Sequence, residues 1–219
     1  MVVDARFLCV VIGASAVVVV VRPTWHVARY AVTAVHELGH LVAAVALGGR
    51  AARVRLRADT SGLTTWRTTQ PGRGRSALVA LSGPAFPPLV GAACALAFAT
   101  NRALLGVVAL TIGVAVIGVV VRNLWGWVVC IALAAICWLA WNDGAGAAQV
   151  LMVVSSTVLC VGGIRAIAEE MSSLPVGGVR DTQIAARALW LPPVMWGTGL
   201  LLWALAWTSW ATWQVSHAL

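Results

Sequence analysis

The chain has 219 residues, of which 61% are hydrophobic and only 10% charged, a balance that excludes an ordinary water-soluble domain. Its formal charge of +8 is carried by arginine alone, because the sequence contains no lysine. In so apolar a chain that charge reads as membrane orientation, with no nucleic-acid partner expected.

The first apolar run spans Phe7 to Val21. It ends at Arg22-Pro23 without a small-residue cleavage site, so a retained first span is expected in place of a signal peptide. A tight turn at Arg22-Pro23-Thr24 leads to a second run, Trp25 to Leu47, closed by the helix stop Gly48-Gly49. Residues 50–75 form the one long polar segment, with arginines at 50, 53, 55, 57, 67, 73 and 75. Arg53-Val54-Arg55-Leu56-Arg57 alternates, Asp59-Thr60-Ser61-Gly62 supplies turn residues, and Leu63 to Thr68 is again β-prone, which predicts a hairpin. Two uses suit it equally: touching anionic headgroups, or holding an extended substrate by strand addition.

Further apolar runs cover Ser76 to Ala99, Leu104 to Val121, Leu124 to Trp141, Ala148 to Ile164 and Leu189 to Trp213. The expected fold is an all-α polytopic membrane protein of about seven transmembrane helices, with a short β-hairpin after the second and residues 1–219 forming a single integral membrane domain. The positive-inside rule places loop 50–75 in the cytosol. The N-terminus, Arg122 and the segment 165–187 then fall inside, while the 22–24 turn, Arg102 and the 142–147 loop fall outside. Trp25, Trp125, Trp127, Trp138 and Trp141 are expected in an aromatic belt, and Trp196, Trp203, Trp207 and Trp210 form a lipid-facing or packing stripe. Pro192-Pro193 should break the last helix near its cytosolic side and let the preceding segment bend inward. Cys9, Cys94, Cys130, Cys137 and Cys160 form no C-x-x-C pair and read as buried free thiols.

The second run carries His36-Glu37-Leu38-Gly39-His40. On a helix His36 and His40 share one face a turn apart, so both imidazoles can reach one metal while Glu37 stands beside them. An ionisable side chain in hydrocarbon costs at least about 2.5 kcal/mol, so three in one turn require a metal, a cavity or partners. The bland alternative is two histidines hydrogen-bonding across helices. The functional one is zinc held by neutral imidazoles, a third ligand and a water, with Glu37 off the metal as general base. His26, Arg29, Tyr30 and Thr33 extend a polar stripe along this helix, suited to a water path or to hydrogen bonds with other helices.

This helix, followed by a β-prone loop and then Leu81-Ser82-Gly83-Pro84 opening an apolar run, resembles the site-2 protease family of intramembrane zinc metallopeptidases, in its compact bacterial branch without appended PDZ or CBS domains. The resemblance implies Zn²⁺ as cofactor, His36 and His40 as ligands, Glu37 as the catalytic residue, membrane-spanning proteins as substrates, and a multi-pass place in a bacterial plasma membrane. For the third ligand two residues compete. Asp143, in Asn142-Asp143-Gly144, is closer to the family's Asp-Gly element but lacks its prolines. Asp181 falls on the same inferred side as His40 and is the expected ligand, provided the segment from Asp181 to Leu191 dips into the membrane.

Asn123 reads either as a helix cap or as a contact for substrate backbone. Glu169 and Glu170 read as a solvated inner surface beside Arg165, and His217 as part of an unimportant tail. The rival function is a non-catalytic metal-binding scaffold or pseudoprotease. A metal transporter would need acidic or histidine residues on several spans, and these are nearly absent.

Overall fold

A computed structural model of the chain describes residues 4–68, 72–172 and 180–218. Residues 69–71 of the polar segment and 173–179 of the expected inner loop lie outside the described residues. In chain order the elements are α1 (Ala5–Val20), α2 (Arg22–Ala46), β1 (Arg50–Leu56), β2 (Gly62–Arg67), α3 (Arg73–Ala99), α4 (Ala103–Val120), α5 (Leu124–Asn142), α6 (Ala145–Ser172), α7 (Asp181–Leu189) and α8 (Pro193–Ala218).

The expected seven spans are not distinguished as seven. Among the described residues four helices, α3 to α6, are each long and apolar enough to cross a membrane, and the number rises to six if each of two bent pairs counts as one span. α1 and α2 meet at 98°, and α7 and α8 at 119°. The first bend follows from Val21, whose extended backbone ends α1, and from Pro23, which pre-sets the opening turn of α2. The second lies where Trp190 adopts the left-handed conformation (φ 63°) and Pro192-Pro193 forbids continuation, as the proline pair implies. α3 stays helical through Pro84, Pro87 and Pro88, and it packs against α2, α6, α7 and α8 at the centre of the bundle. Large apolar side chains on α4 and α5, among them Leu105, Ile112, Val119, Ile131 and Trp138, face outward as lipid-contacting residues do.

The packing fixes which helix ends lie together. Leu8, near the start of α1, joins Phe98, Ala140, Ala148 and Val215 in one core cluster, while Val19, near its end, joins Trp25 and Leu159 in another. α1 therefore runs parallel to α6. The Arg165 guanidinium donates to the carbonyls of Val19 and Val20, and Arg29 lies 3.0 Å from Glu169. The 22–24 turn, expected on the opposite side of the membrane from Arg165, thus shares an end with it. The cause is the 98° bend: α2 crosses the bundle and does not fold back alongside α1. A run of apolar residues reveals its length but not that angle.

The hairpin forms as the alternation predicts. β1 and β2 are antiparallel, with Arg53 opposite Thr65, Val54 opposite Thr64 and Arg55 opposite Leu63. In the turn, the Ser61 hydroxyl and amide donate to Asp59 (2.6 and 2.9 Å) and hold its carboxyl below the usual range. Val54 and Leu56 are buried against Ile117, Val121 and Val129, leaving Arg53 and Arg55 exposed. The outer edge of β1 is occupied: Val54 bridges Val121 in parallel, the Arg122 amide donates to the Val54 carbonyl, and the Asn123 side chain exchanges two hydrogen bonds with the Leu56 backbone.

Candidate metal centre

His36 and His40 rise from the same face of α2, and their Nε2 atoms are 3.0 Å apart. Asp181 opens α7 and brings Oδ2 to 3.0 Å from His36 Nε2 and 3.4 Å from His40 Nε2. Four ligands around zinc at about 2.1 Å stand about 3.4 Å from one another, so this triangle of two nitrogens and one oxygen fits three corners of such a tetrahedron. His40 Nδ1 lies 2.7 Å from the Val79 carbonyl oxygen. With Nδ1 protonated and donating to that carbonyl, Nε2 keeps its lone pair for a metal.

The two competing carboxylates have separate fates. Asp181 is brought to the imidazoles; Asp143 is the residue that ends α5, exposed, at the opposite end of the bundle. α7 is held in place by a residue that sequence reasoning assigned to a solvated surface. Glu170 Oε1 accepts from the Thr182 amide (3.1 Å) and hydroxyl (2.7 Å), capping the first turn of α7 beside Asp181. Its neighbour Glu169 is also structural, accepting from the Trp25 indole (3.1 Å) and from Arg165 (2.8 Å) while pairing with Arg29. Trp25 is consequently buried, at 4% exposure, and does not belong to an interfacial belt. Only the spacing Arg165-x-x-x-Glu169 hinted at this cluster, since its other members are distant in sequence.

Of the polar stripe on α2, Tyr30 donates to the Ala58 carbonyl (2.6 Å) and Thr33 to the Thr60 carbonyl (2.9 Å), so both hydroxyls tie down the hairpin turn. Glu37, 3% exposed, receives the Thr64 hydroxyl on Oε2 (2.5 Å). The site opens into a cavity of about 760 Å³ whose walls include Thr33, Glu37, Thr64, Ala80, Arg180 and Asp181. Two glycines admit this arrangement. A Cβ on Gly83 would fall on the His40 ring, and one on Gly62 would fall on the Glu37 carboxylate.

The sequence matches the Peptidase M50B-like family over residues 8–211, nearly its whole length. The chain belongs to that family. It is a peptidase family, that of the site-2 proteases, and the M50B-like match runs from α1 through most of α8. Comparison with curated proteins and with solved structures found no match. The His36, Glu37 and His40 of this M50B-like chain form a cluster whose ligand atoms all lie within 4.8 Å of one another.

Proposed function

We propose that this chain is an intramembrane zinc metalloendopeptidase that hydrolyses peptide bonds of membrane-spanning proteins. One observation carries the reading: in an M50B-like chain, His36, His40 and Asp181 converge on a common point beside Glu37. His36, His40 and Asp181 would hold Zn²⁺, which supplies an activated water and polarises the scissile carbonyl when bound. Glu37 is the general base: its carboxylate takes the proton of the attacking water and returns it to the leaving amine. Val79 fixes the tautomer and orientation of His40, and Glu170 fixes the start of α7.

The substrate must reach this point as extended backbone, because a helix hides its amide carbonyls. The outer edge of β2, which pairs with no strand among the described residues, suits that demand, since β1 is already covered by Val121 and Asn123. Asn123 accordingly serves the hairpin and does not touch substrate. Orientation follows from the arginines. Arg6 and Arg102 lie at the end of the bundle remote from the site, and the remaining arginines lie at the site end with the hairpin, α2 and α7. The positive-inside rule then puts the active site at the cytosolic face, the side expected from the sequence, and the N-terminus on the far side, whereas counting apolar runs puts it inside.

The test uses purified protein and a quenched-fluorescent peptide whose apolar span is interrupted by a Gly-Pro pair. Wild type should carry one zinc and cleave; Glu37→Gln should keep the zinc and leave the peptide intact. Cleavage by Glu37→Gln at the wild-type rate, or wild type without zinc, would overturn the reading.

A further inference from the structure

Glu37 touches the hairpin at two points. Thr64 donates its hydroxyl to Oε2, and Gly62 leaves only enough room for the carboxylate. Both residues belong to the inward register of β2, where 62, 64 and 66 are half-buried and 63, 65 and 67 exposed. The hairpin has other ties to the bundle, and the Thr64 hydroxyl is closer to Oε2 than to the Glu37 carbonyl, 3.4 Å away. Tyr30 and Thr33 hold its turn and Asn123 holds its other strand, all without Glu37. The effect of the Thr64 hydroxyl therefore falls on the carboxylate.

That carboxylate is in a delicate position. A carboxylate oxygen of Glu37 lies within 4.8 Å of ligand nitrogens on both His36 and His40. A carboxylate this close can itself become a fourth protein ligand, and a carboxylate bound to the metal is no longer a free base. A hydroxyl donating to Oε2 from the hairpin side opposes that change, and Gly62 prevents the hairpin from pushing the carboxylate toward the histidines.

Resting on the metallopeptidase reading, we infer that Thr64 is a positioning residue that holds Glu37 away from the metal and in place as the base. If β2 receives the substrate as proposed above, the base is positioned by the same element that takes up the scissile segment.

Cobalt-loaded protein gives a readout independent of turnover. Thr64→Val should weaken and shift the visible d–d band, as an added carboxylate ligand does, whereas Thr64→Ser should leave the wild-type spectrum. Adding Glu37→Gln to Thr64→Val should abolish the difference. With the quenched peptide, Thr64→Val should lower kcat about tenfold or more with KM unchanged, and Thr64→Ser should restore it. Thermal unfolding of each variant checks that the fold survives. A wild-type spectrum and kcat in Thr64→Val, equal defects in the Val and Ser variants, or a Thr64→Val effect that persists beside Glu37→Gln would each overturn the Thr64 role while wild-type cleavage leaves the metallopeptidase reading standing. Equal cleavage by wild type and Glu37→Gln would overturn both.

Discussion

Gly83 on α3 lies flush against the imidazole of His40 on α2, so close that a Cβ there would coincide with the ring. Gly39 on α2 repays the contact, since its own Cβ would strike the Ser82 carbonyl and the Phe86 side chain. The two helices meet through paired glycines at the turn that carries His36 and His40. Gly83→Ala should displace His40, costing about 1–3 kcal/mol of stability as overpacking does, and should lower zinc content measured by mass spectrometry. Gly118→Ala, inside α4 with nothing nearby for a Cβ to meet, should leave zinc content unchanged and raise stability by about 0.5–1 kcal/mol.

Asp181 should be needed for zinc and Asp143 should not. Asp181→Asn is expected to weaken zinc binding by more than the ~10–100-fold typical of losing an outer-shell partner. Glu170→Ala, which uncaps α7 at Thr182, should fall within that range. Asp143→Asn should bind zinc as wild type does. A competition titration with a chelator of known affinity separates the three, and full zinc retention by Asp181→Asn would remove it from the ligand set.

The parts of this molecule legible in the sequence are those written in local pattern. The His36 and His40 pair, the hairpin, and the break at Pro192-Pro193 each follow from spacing, alternation or a missing amide hydrogen. Asp181 could be preferred over Asp143 from the expected sidedness of the chain, even though that sidedness assigned the 22–24 turn to the wrong end of the bundle. The argument needed only Asp181 and α2 to share an end, and they do. The 98° bend was not legible because Val21 and Pro23 end one helix and start another without dictating the angle between them. The roles of Glu169, Glu170 and Thr64 were hidden for a different reason. The bond that defines each role reaches a residue 12 to 144 positions away, and a single sequence does not report such pairs.

Arg165 should act on the site from a distance. It donates to Val19 and Val20 at the end of α1 and to Glu169, and thereby braces the bend from which α2 departs. Arg165→Ala should cost about 2 kcal/mol, the scale of charge-assisted hydrogen bonds, and lower the thermal midpoint. Zinc affinity should drop less than in Asp181→Asn, because the imidazoles remain.

Asn123 offers a separate test of the hairpin. Its amide imitates a third strand along β1, and Asn123→Ala removes two hydrogen bonds worth about 1 kcal/mol each. Amide exchange at residues 54–56 should quicken, and KM for the quenched peptide should rise as the hairpin loosens. Zinc content should be unchanged. Loss of kcat at constant KM would instead place Asn123 at the reacting bond.

The membrane orientation can be read directly by thiol labelling. In a background where all five native cysteines are replaced by alanine, Asp4→Cys and Ser61→Cys mark opposite ends of the bundle, the first at the cap of α1 and the second in the half-buried hairpin turn beside the site cavity. The arginines at the hairpin end resist transfer across the membrane, and only Arg6 and Arg102 oppose them at the other end. A membrane-impermeant maleimide should therefore label Asp4→Cys in intact cells and Ser61→Cys only after permeabilisation. Labelling of Ser61→Cys in intact cells would place the site at the outer face. Labelling of both positions only after permeabilisation would mean that α1 does not cross the membrane and that its packing beside α6 forms within one leaflet.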